Sequence, residues 1–219
     1  MIPIRIIADM MSRTVVSDDG LHLDSLMMAA VAKRDGLPPL LSQRQAIDAE
    51  PLQIPIALSP CGRYYLATSA LGHVEARENR YVNRRFPLHE SIALGDESFK
   101  RVMLSSGACK GFRVPVESSH VDRWTWYAVG DLEAVRELVP LVTRLGKRRS
   151  VGEGLVRAWT VEECEPWAGA VPVLDVDGMP LRNVPLDTPG LSDRYVARIG
   201  RLRPPYWLRH DEHEVACAS

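Results

Sequence analysis

Three consecutive basic residues, Lys147, Arg148 and Arg149, lie within a stretch of the chain that is interrupted by glycines. Glycine has no Cβ and reaches positive φ at little cost, so the N–H groups of such a stretch can turn toward an anion. Guanidinium groups beside that backbone would add charge-assisted hydrogen bonds. The pattern therefore predicts a phosphate site. Its candidate residues are Arg144, Lys147, Arg148, Arg149, Ser150, Gly152 and Gly154.

The order of the surrounding elements argues against a nucleotide-binding loop. In such loops the glycines follow a strand and open a helix. Here a predicted helix at residues 131–145 precedes the glycines, and a predicted strand at 154–162 follows them. Glu153 also stands where a phosphate-gripping lysine would be needed. One structural alternative stays open, in which Gly146 ends the helix and the nearby cations only favour the negative end of its dipole.

The composition is that of a soluble globular protein, with 219 residues of which 46% are hydrophobic and 25% charged. This length suits one large domain or a core with a sizeable insertion. A formal net charge of −1 provides no global attraction to nucleic acid or membrane, so such binding would need local patches. Basic patches occur at Arg77, Arg80, Arg84 and Arg85, at Lys110 and Arg113, and at Arg198, Arg201, Arg203 and Arg209.

The cysteines and histidines predict neither a disulfide framework nor a metal site. The four cysteines are far apart and form no CxxC pair, which is typical of reduced residues in a cytosolic protein. His210 and His213 lie in a polar tail without a helical apolar face, which argues against zinc. No signal peptide is visible, and no apolar run approaches the roughly 18 residues of a transmembrane helix. We therefore expect a cytoplasmic protein with no metal, no cofactor and no membrane contact.

The hydrophobic pattern predicts strands at residues 2–8, 53–58, 63–69, 123–129 and 154–162, and helices at 21–35 and 131–145. Pro140 should kink or split the second helix. Residues 77–88 are predicted to form an exposed basic excursion, and residues 102–117 two short extended segments. Trp124 and Trp126 alternate along one strand, so we expect both in the core.

This order predicts an α+β fold with a split β-α-β arrangement, which fits a ferredoxin-like sheet with helices on one face. We expect the core to span residues 1–162, with a large middle insertion that holds the basic excursion around 77–117. Residues 163–219 contain many prolines and are predicted to form an irregular C-terminal extension packed on the core. Strands are predicted within it at 171–176 and 196–202.

Several segments of the chain resemble those of a known family. The loop from Gly146 to Gly154, between a helix and a strand near the end of a ferredoxin-like unit, resembles the glycine-rich loop of the repeat-associated RNA-binding proteins (RAMPs) of CRISPR systems. Within that superfamily the chain is most similar to the type IV subunit that resembles the protein capping the 5′ end of the guide. Further segments that carry the resemblance are residues 22–27, 110–115, 126–131, 180–185 and 204–207.

The resemblance implies a ferredoxin-like (RRM-like) RAMP core in a non-catalytic subunit of a type IV CRISPR effector complex. Such a subunit grips the 5′ handle of the CRISPR RNA and caps the filament of backbone subunits. Its implied partners also include the large subunit and target DNA near the protospacer-adjacent motif (PAM). Single-stranded RNA is held by cation–phosphate contacts and by stacking of its bases. The candidate RNA-binding residues outside the loop are His22, Arg84, Arg85, Lys110 and Arg113.

Two other functional classes stay open. Metal-independent cleavage of repeat RNA needs a general base and a general acid, and His22 at the start of the first helix is the best histidine for either role. His22 could also contact RNA without cleaving it, or be a partly buried residue of the helix start. The other class is a protein-interaction module, in which the basic loop is only the end of a helix.

Overall fold

The computed structural model describes residues 1–16, 20–38, 52–84, 111–165, 173–206 and 212–217. Within these residues the chain combines helices with antiparallel sheets. Its strands are β1 (Ile2–Met10), β2 (Ala76–Arg84), β3 (Phe112–His120), β4 (Arg123–Gly130), β5 (Val156–Glu163), β6 (Val184–Pro185), β7 (Val196–Gly200) and β8 (His213–Cys217). Its α-helices are α1 (Leu23–Arg34) and α2 (Leu132–Leu138).

The central sheet has the strand order β4-β1-β5, and both neighbours run antiparallel to β1. Alternate residues of β1 are buried, beginning with Ile4 and Ile6, because successive side chains of a strand point to opposite faces. Trp124 and Trp126 on β4 are buried on the same principle, which confirms their predicted place in the core. Both helices contribute side chains to this core, so the sheet has a helix-covered face.

An irregular segment lies along the free edge of β4, in the place of a fourth strand. Isolated antiparallel bridges join Ile56 to Gly130, Ala67 to Ala128 and Leu71 to Thr125. The strands predicted at residues 53–58 and 63–69 are present only as isolated bridges, which also join Leu58 to Tyr65 and Ser69 to His22. Pro55 and Pro60 have no N–H to donate to a ladder, and a turn with positive φ at Gly62 (+69°) separates the two segments.

The second helix is shorter than predicted. Asp131 caps its start, because the Asp131 carboxylate accepts hydrogen bonds from the N–H groups of Glu133 and Ala134. The α-helix ends at Leu138, and Pro140 falls in a 3₁₀ turn at Val139–Leu141. The predicted split at Pro140 is therefore confirmed, whereas the predicted continuation of the helix to residue 145 is wrong.

Two further units flank the central sheet. The basic excursion supplies β2, which pairs with β3 along its whole length to form a hairpin; residues 85–110 between these strands lie outside the described residues.

The C-terminal extension is not simply irregular, since it contains a three-stranded sheet with the order β6-β8-β7 and its own apolar cluster. The strand predicted at 196–202 corresponds to β7, while residues 173–176 form no strand. None of the helices within the described residues is long and apolar enough to cross a membrane.

Candidate nucleic-acid interface

The base of the glycine loop (residues 146–154) is closed by backbone pairing. The N–H of Leu145 donates to the carbonyl of Gly154 at 2.8 Å, and the N–H of Val156 donates to the carbonyl of Thr143 at 3.1 Å. Leu145 itself is fully buried and anchors this base in the core. The loop therefore projects from a fixed stem. Since the preceding helix and its 3₁₀ turn end by Leu141, the alternative in which Gly146 terminates a helix is wrong.

Two of the glycines serve the fold of the loop. Gly154 has φ +74°, and a Cβ there would lie 1.8 Å from the carbonyl oxygen of Leu145. Gly146 has φ +72°, and a Cβ there would lie 2.3 Å from the carbonyl oxygen of Val15. The fold of the loop therefore requires glycine at 154 for its own packing, and the predicted approach of RNA at Gly154 stays a prediction. Gly152 has φ +98° with no atom within 4 Å of a Cβ, so its surroundings are open.

The tip of the loop presents the cations that were predicted to hold phosphate. Lys147, Arg148, Arg149 and Ser150 are all exposed. Arg148 adopts the left-handed conformation with φ +58°, which is uncommon for a residue with a side chain, and the 3₁₀ turn Arg149–Val151 follows it. The N–H groups at 151 and 152 donate to carbonyl groups within that turn. These amides are therefore already engaged, and the anion-binding capacity of the tip rests mainly on its side chains.

A connecting segment at residues 13–16 joins the glycine loop to the hairpin. Thr14 and Ser119 of β3 exchange two backbone hydrogen bonds, at 3.0 Å and 2.9 Å. On the other side, the N–H of Lys147 donates to the carbonyl of Val15 at 2.8 Å. The base of the hairpin and the base of the loop are thus attached to the same segment, which positions both as neighbouring walls.

An ion pair also joins the two walls directly. Arg80 of β2 donates from Nη1 to Oε1 of Glu153 at 3.1 Å. Glu153 is only 7% exposed, and its carbonyl accepts a hydrogen bond from Nη1 of Arg144 at 3.3 Å. Arg144, predicted to bind RNA, is half-buried and helps to close the loop.

Two of the grooves between these walls share Arg148. The first, the hairpin groove, has a volume of about 240 Å³, and the second, the lysine groove, of about 600 Å³. The hairpin groove is lined by Arg80, Tyr81, Val82, Asn83, Val116, Ser118, Arg148, Val151 and Glu153. The lysine groove is lined by Val15, Val16, Arg77, Pro115, Val116, Glu117, Ser119, Lys147 and Arg148.

The charges in these grooves favour an anionic ligand. Arg80 and Arg77 each have a carboxylate partner, Glu153 and Glu117 respectively. Lys147, Arg148 and Arg149 have no ion pair within the part of the chain that the structure describes. These unpaired cations would gain charge-assisted hydrogen bonds from a phosphate.

The hairpin adds an aromatic surface beside the cations. Tyr81 is 55% exposed, and the guanidinium carbon of Arg113 lies 4.1 Å from the centre of its ring. A nucleobase can stack on either an aromatic ring or a guanidinium plane, so this pair is chemically suited to RNA. Of the other candidates, Arg84 is the last residue of β2, while Arg85 and Lys110 lie outside the described residues.

His22 does not lie at this interface. It precedes α1, is 4% exposed, and shares a 2.8 Å hydrogen bond between its Nδ1 and Oγ of Ser69. The ring of Tyr206 stacks on its imidazole with a centroid distance of 4.2 Å. This burial under Tyr206 of the C-terminal extension argues against the predicted contact between His22 and RNA.

Beside His22 lies a buried polar cluster that was not predicted from the sequence. Arg182 donates from Nη2 to Oδ2 of Asp24 at 2.9 Å and to the Tyr206 hydroxyl at 2.6 Å. Burial raises the pKa of Tyr206 well above its ordinary value, so the hydroxyl stays protonated and donates to the Asp24 carboxylate. Burial alone would lower the pKa of Arg182, but the attraction of Asp24, the nearby Tyr206 and the hydrogen bond to Asp24 together raise it.

The cluster joins three of the segments that carry the family resemblance. Asp24 belongs to residues 22–27, Arg182 to residues 180–185, and Tyr206 to residues 204–207. These segments are far apart in the chain, and their shared role is to attach the C-terminal extension to the first helix. These three segments therefore support the fold of the chain through one shared buried contact.

Comparison with known proteins identifies the family. The sequence profile described as "CRISPR type IV associated protein Csf3" matches residues 82–218, which is more than half of the chain. The chain belongs to this family, which confirms the type IV CRISPR resemblance. No curated protein matches the chain.

Among solved structures, one match is a chain of the "Cryo-EM structure of the Type III-B Cmr-beta bound to cognate target RNA". The sequence identity is 13% and the TM-score 0.40, and the match covers 74% of this chain and 60% of the other. The chain thus spans less than two thirds of the length of that neighbour.

Proposed function

We propose that the chain is a non-catalytic RNA-binding subunit of a type IV CRISPR effector complex, which grips the 5′ handle of the CRISPR RNA and caps the backbone filament. The observation that carries this proposal is the pair of grooves between the hairpin and the glycine loop. One wall presents Lys147 and Arg148, which have no ion pair among the described residues, and the other presents the stacked pair of Tyr81 and Arg113. Membership of the type IV family supplies the CRISPR context.

The proposal includes a ferredoxin-like core over residues 1–162. If the bridged segment at residues 56–71 counts as an edge strand, the sheet reads β5-β1-β4-edge, with α1 and α2 as the two connecting helices. That is the β-α-β-β-α-β order of a ferredoxin-like unit. The basic excursion around 77–117 is then an insertion before β4, and residues 163–219 form the extension.

In the proposed complex, cations of the loop bind the phosphates of the RNA, and the hairpin stacks on a base. Arg148 and Arg149 donate to phosphate oxygens, Lys147 adds a third cation, and the Ser150 hydroxyl donates to a phosphate or accepts from a 2′-hydroxyl. A base that leaves the stack packs against Tyr81 or Arg113. Partners in the complex are the backbone and large subunits, with target DNA near the PAM as a further one.

The burial of His22 supports the absence of catalysis by that residue. A general base must come within about 3 Å of the proton that it removes, directly or through one water. With 4% of the residue exposed and Tyr206 stacked on its ring, His22 has little access to a phosphodiester.

A single assay tests the proposal. The purified chain is mixed with labelled RNA that carries the CRISPR repeat handle, with an unrelated RNA of equal length and base content as control. The proposal predicts a retained complex that prefers the handle and an RNA that stays full length. Absence of a complex contradicts the RNA-binding role, and shortened product contradicts the non-catalytic one.

A further inference from the structure

We propose that the Arg80–Glu153 ion pair sets the spacing between the hairpin and the glycine loop, which makes Glu153 a positioning residue for guide binding. This inference rests on the proposed function, in which the RNA lies between these two walls. A carboxylate beside a phosphate site would ordinarily weaken binding by repulsion. Glu153 is proposed to do the reverse, because the pair that it forms holds the groove in its binding shape.

The position of Glu153 is fixed from the loop side. Its carbonyl accepts from Arg144, and the next N–H, that of Gly154, donates to the carbonyl of Arg13 at 2.6 Å. Its carboxylate side chain is 10% exposed, whereas the Arg80 side chain that reaches it is 52% exposed. A nearly buried carboxylate is costly unless it is paired, so the loop favours the hairpin position that brings Arg80 within reach.

No second direct hydrogen bond or ion pair between the hairpin and the glycine loop is found in the described part of the structure. The hairpin is also held at its base, through Thr14 and Ser119 and through an ion pair between Arg13 and Glu78, but these contacts involve the connecting segment and not the loop. Within the described residues, Arg80–Glu153 is the only hydrogen bond or ion pair that directly joins the hairpin to the glycine loop. Both members of this pair line the hairpin groove together with Arg148.

Simple electrostatics and positioning predict opposite results for Glu153→Gln. Removal of one negative charge from an RNA groove should tighten binding if charge alone matters. If the ion pair holds the walls in place, the same substitution should weaken binding roughly three- to tenfold, as expected when contacting groups are coupled. Glu117→Gln is the matched control, since Glu117 lines the lysine groove and its partner Arg77 lies 3.5 Å away with both side chains well exposed.

A second comparison avoids substitution of the nearly buried Glu153 and uses two exposed arginines. Arg77 and Arg80 lie on the same strand, and each has one carboxylate partner. Arg77→Gln and Arg80→Gln therefore remove the same charge. Positioning predicts that Arg80→Gln weakens RNA binding more than Arg77→Gln does, and that Glu153→Gln adds little once Arg80→Gln is present.

The experiment measures the affinity of the full chain for labelled handle RNA in the wild type and these variants, with thermal unfolding to confirm that each is folded. The expected result is weaker binding by Glu153→Gln and Arg80→Gln, and tighter binding by Glu117→Gln, which removes a negative charge from the lysine groove and leaves the Arg80–Glu153 pair intact. Equal losses of RNA affinity for Arg80→Gln and Arg77→Gln would overturn the positioning role of Glu153. Tighter RNA binding by a folded Glu153→Gln variant would overturn it as well. If the wild type itself retains no RNA, the proposed function fails instead, so the two failures are distinct.

Discussion

Arg182 and Asp24 form an ion pair at 2.9 Å with both side chains fully buried, although 158 residues separate them in the chain. This pair attaches the loop before β6 to the first turn of α1, and Tyr206 completes its hydrogen bonding. The first helix and the C-terminal extension therefore meet in a polar contact inside the fold. Loss of either charge would leave the other buried without its partner.

Asp24→Asn should lower the free energy of unfolding by about 3–5 kcal/mol, because the Arg182 cation loses its counter-charge in a buried site. Asp35→Asn is the control, since Asp35 pairs with Arg34 at the exposed end of α1 and should change stability little. Denaturant unfolding of both variants measures the difference. Equal stability of the two variants would contradict the structural importance of the buried pair.

Gly154→Ala and Gly152→Ala separate packing from backbone strain in the glycine loop. Both residues have positive φ, so each alanine is expected to cost about 1 kcal/mol from conformation alone. Only at Gly154 would the added Cβ also collide with the carbonyl of Leu145. We expect Gly154→Ala to destabilise the protein clearly more and to lose RNA affinity through the distorted loop base. Similar unfolding free energies for the two variants would contradict the close contact between Gly154 and the carbonyl of Leu145.

Cys61 should react with alkylating reagents in a pH-dependent manner. A hydrogen bond from Ser59, with an Oγ–Sγ distance of 3.2 Å, and the nearby Arg63 lower the pKa of this exposed thiol to about 7. Because the lowered pKa favours the thiolate, reactivity should be high above pH 7 and fall as the pH drops through that value. Alkylation rates measured by peptide mass spectrometry from pH 5.5 to 9 test this.

Ser59→Ala is the matching variant for Cys61. It removes the main hydrogen bond to the thiolate, so the rate profile should move toward higher pH. Cys164 is an internal reference, because it is half-buried and burial raises its pKa. A Cys61 profile that stays in place after Ser59→Ala would refute the assigned cause.

Local patterns predicted the elements that local physics controls. The first strand, the buried tryptophans of β4 and the start of the second helix all depend on neighbours within a few residues, and all are confirmed. Pro140 ends the second helix early for an equally local reason, the absence of its N–H.

Contacts between distant segments could not be predicted in this way. Nothing in residues 22–27 indicates that Asp24 will meet Arg182, and nothing in the glycine loop indicates that Glu153 will meet Arg80, 73 residues earlier. His22 was interpreted as a candidate for RNA contact because its partners Ser69 and Tyr206 come from other parts of the chain. The basic residues of the loop were found from the sequence because their spacing is local, whereas the wall that faces them was not.

The salt dependence of handle-RNA affinity tests the central claim most directly. Each phosphate that a cation neutralises on single-stranded RNA contributes roughly 0.7 to the slope of log affinity against log salt concentration. Arg148→Ala combined with Arg149→Ala should therefore weaken binding and flatten that slope by about 1.4 if both arginines contact phosphate. A double variant that is folded and keeps both the affinity and the slope of the wild type would contradict the claim that the glycine loop grips the RNA backbone.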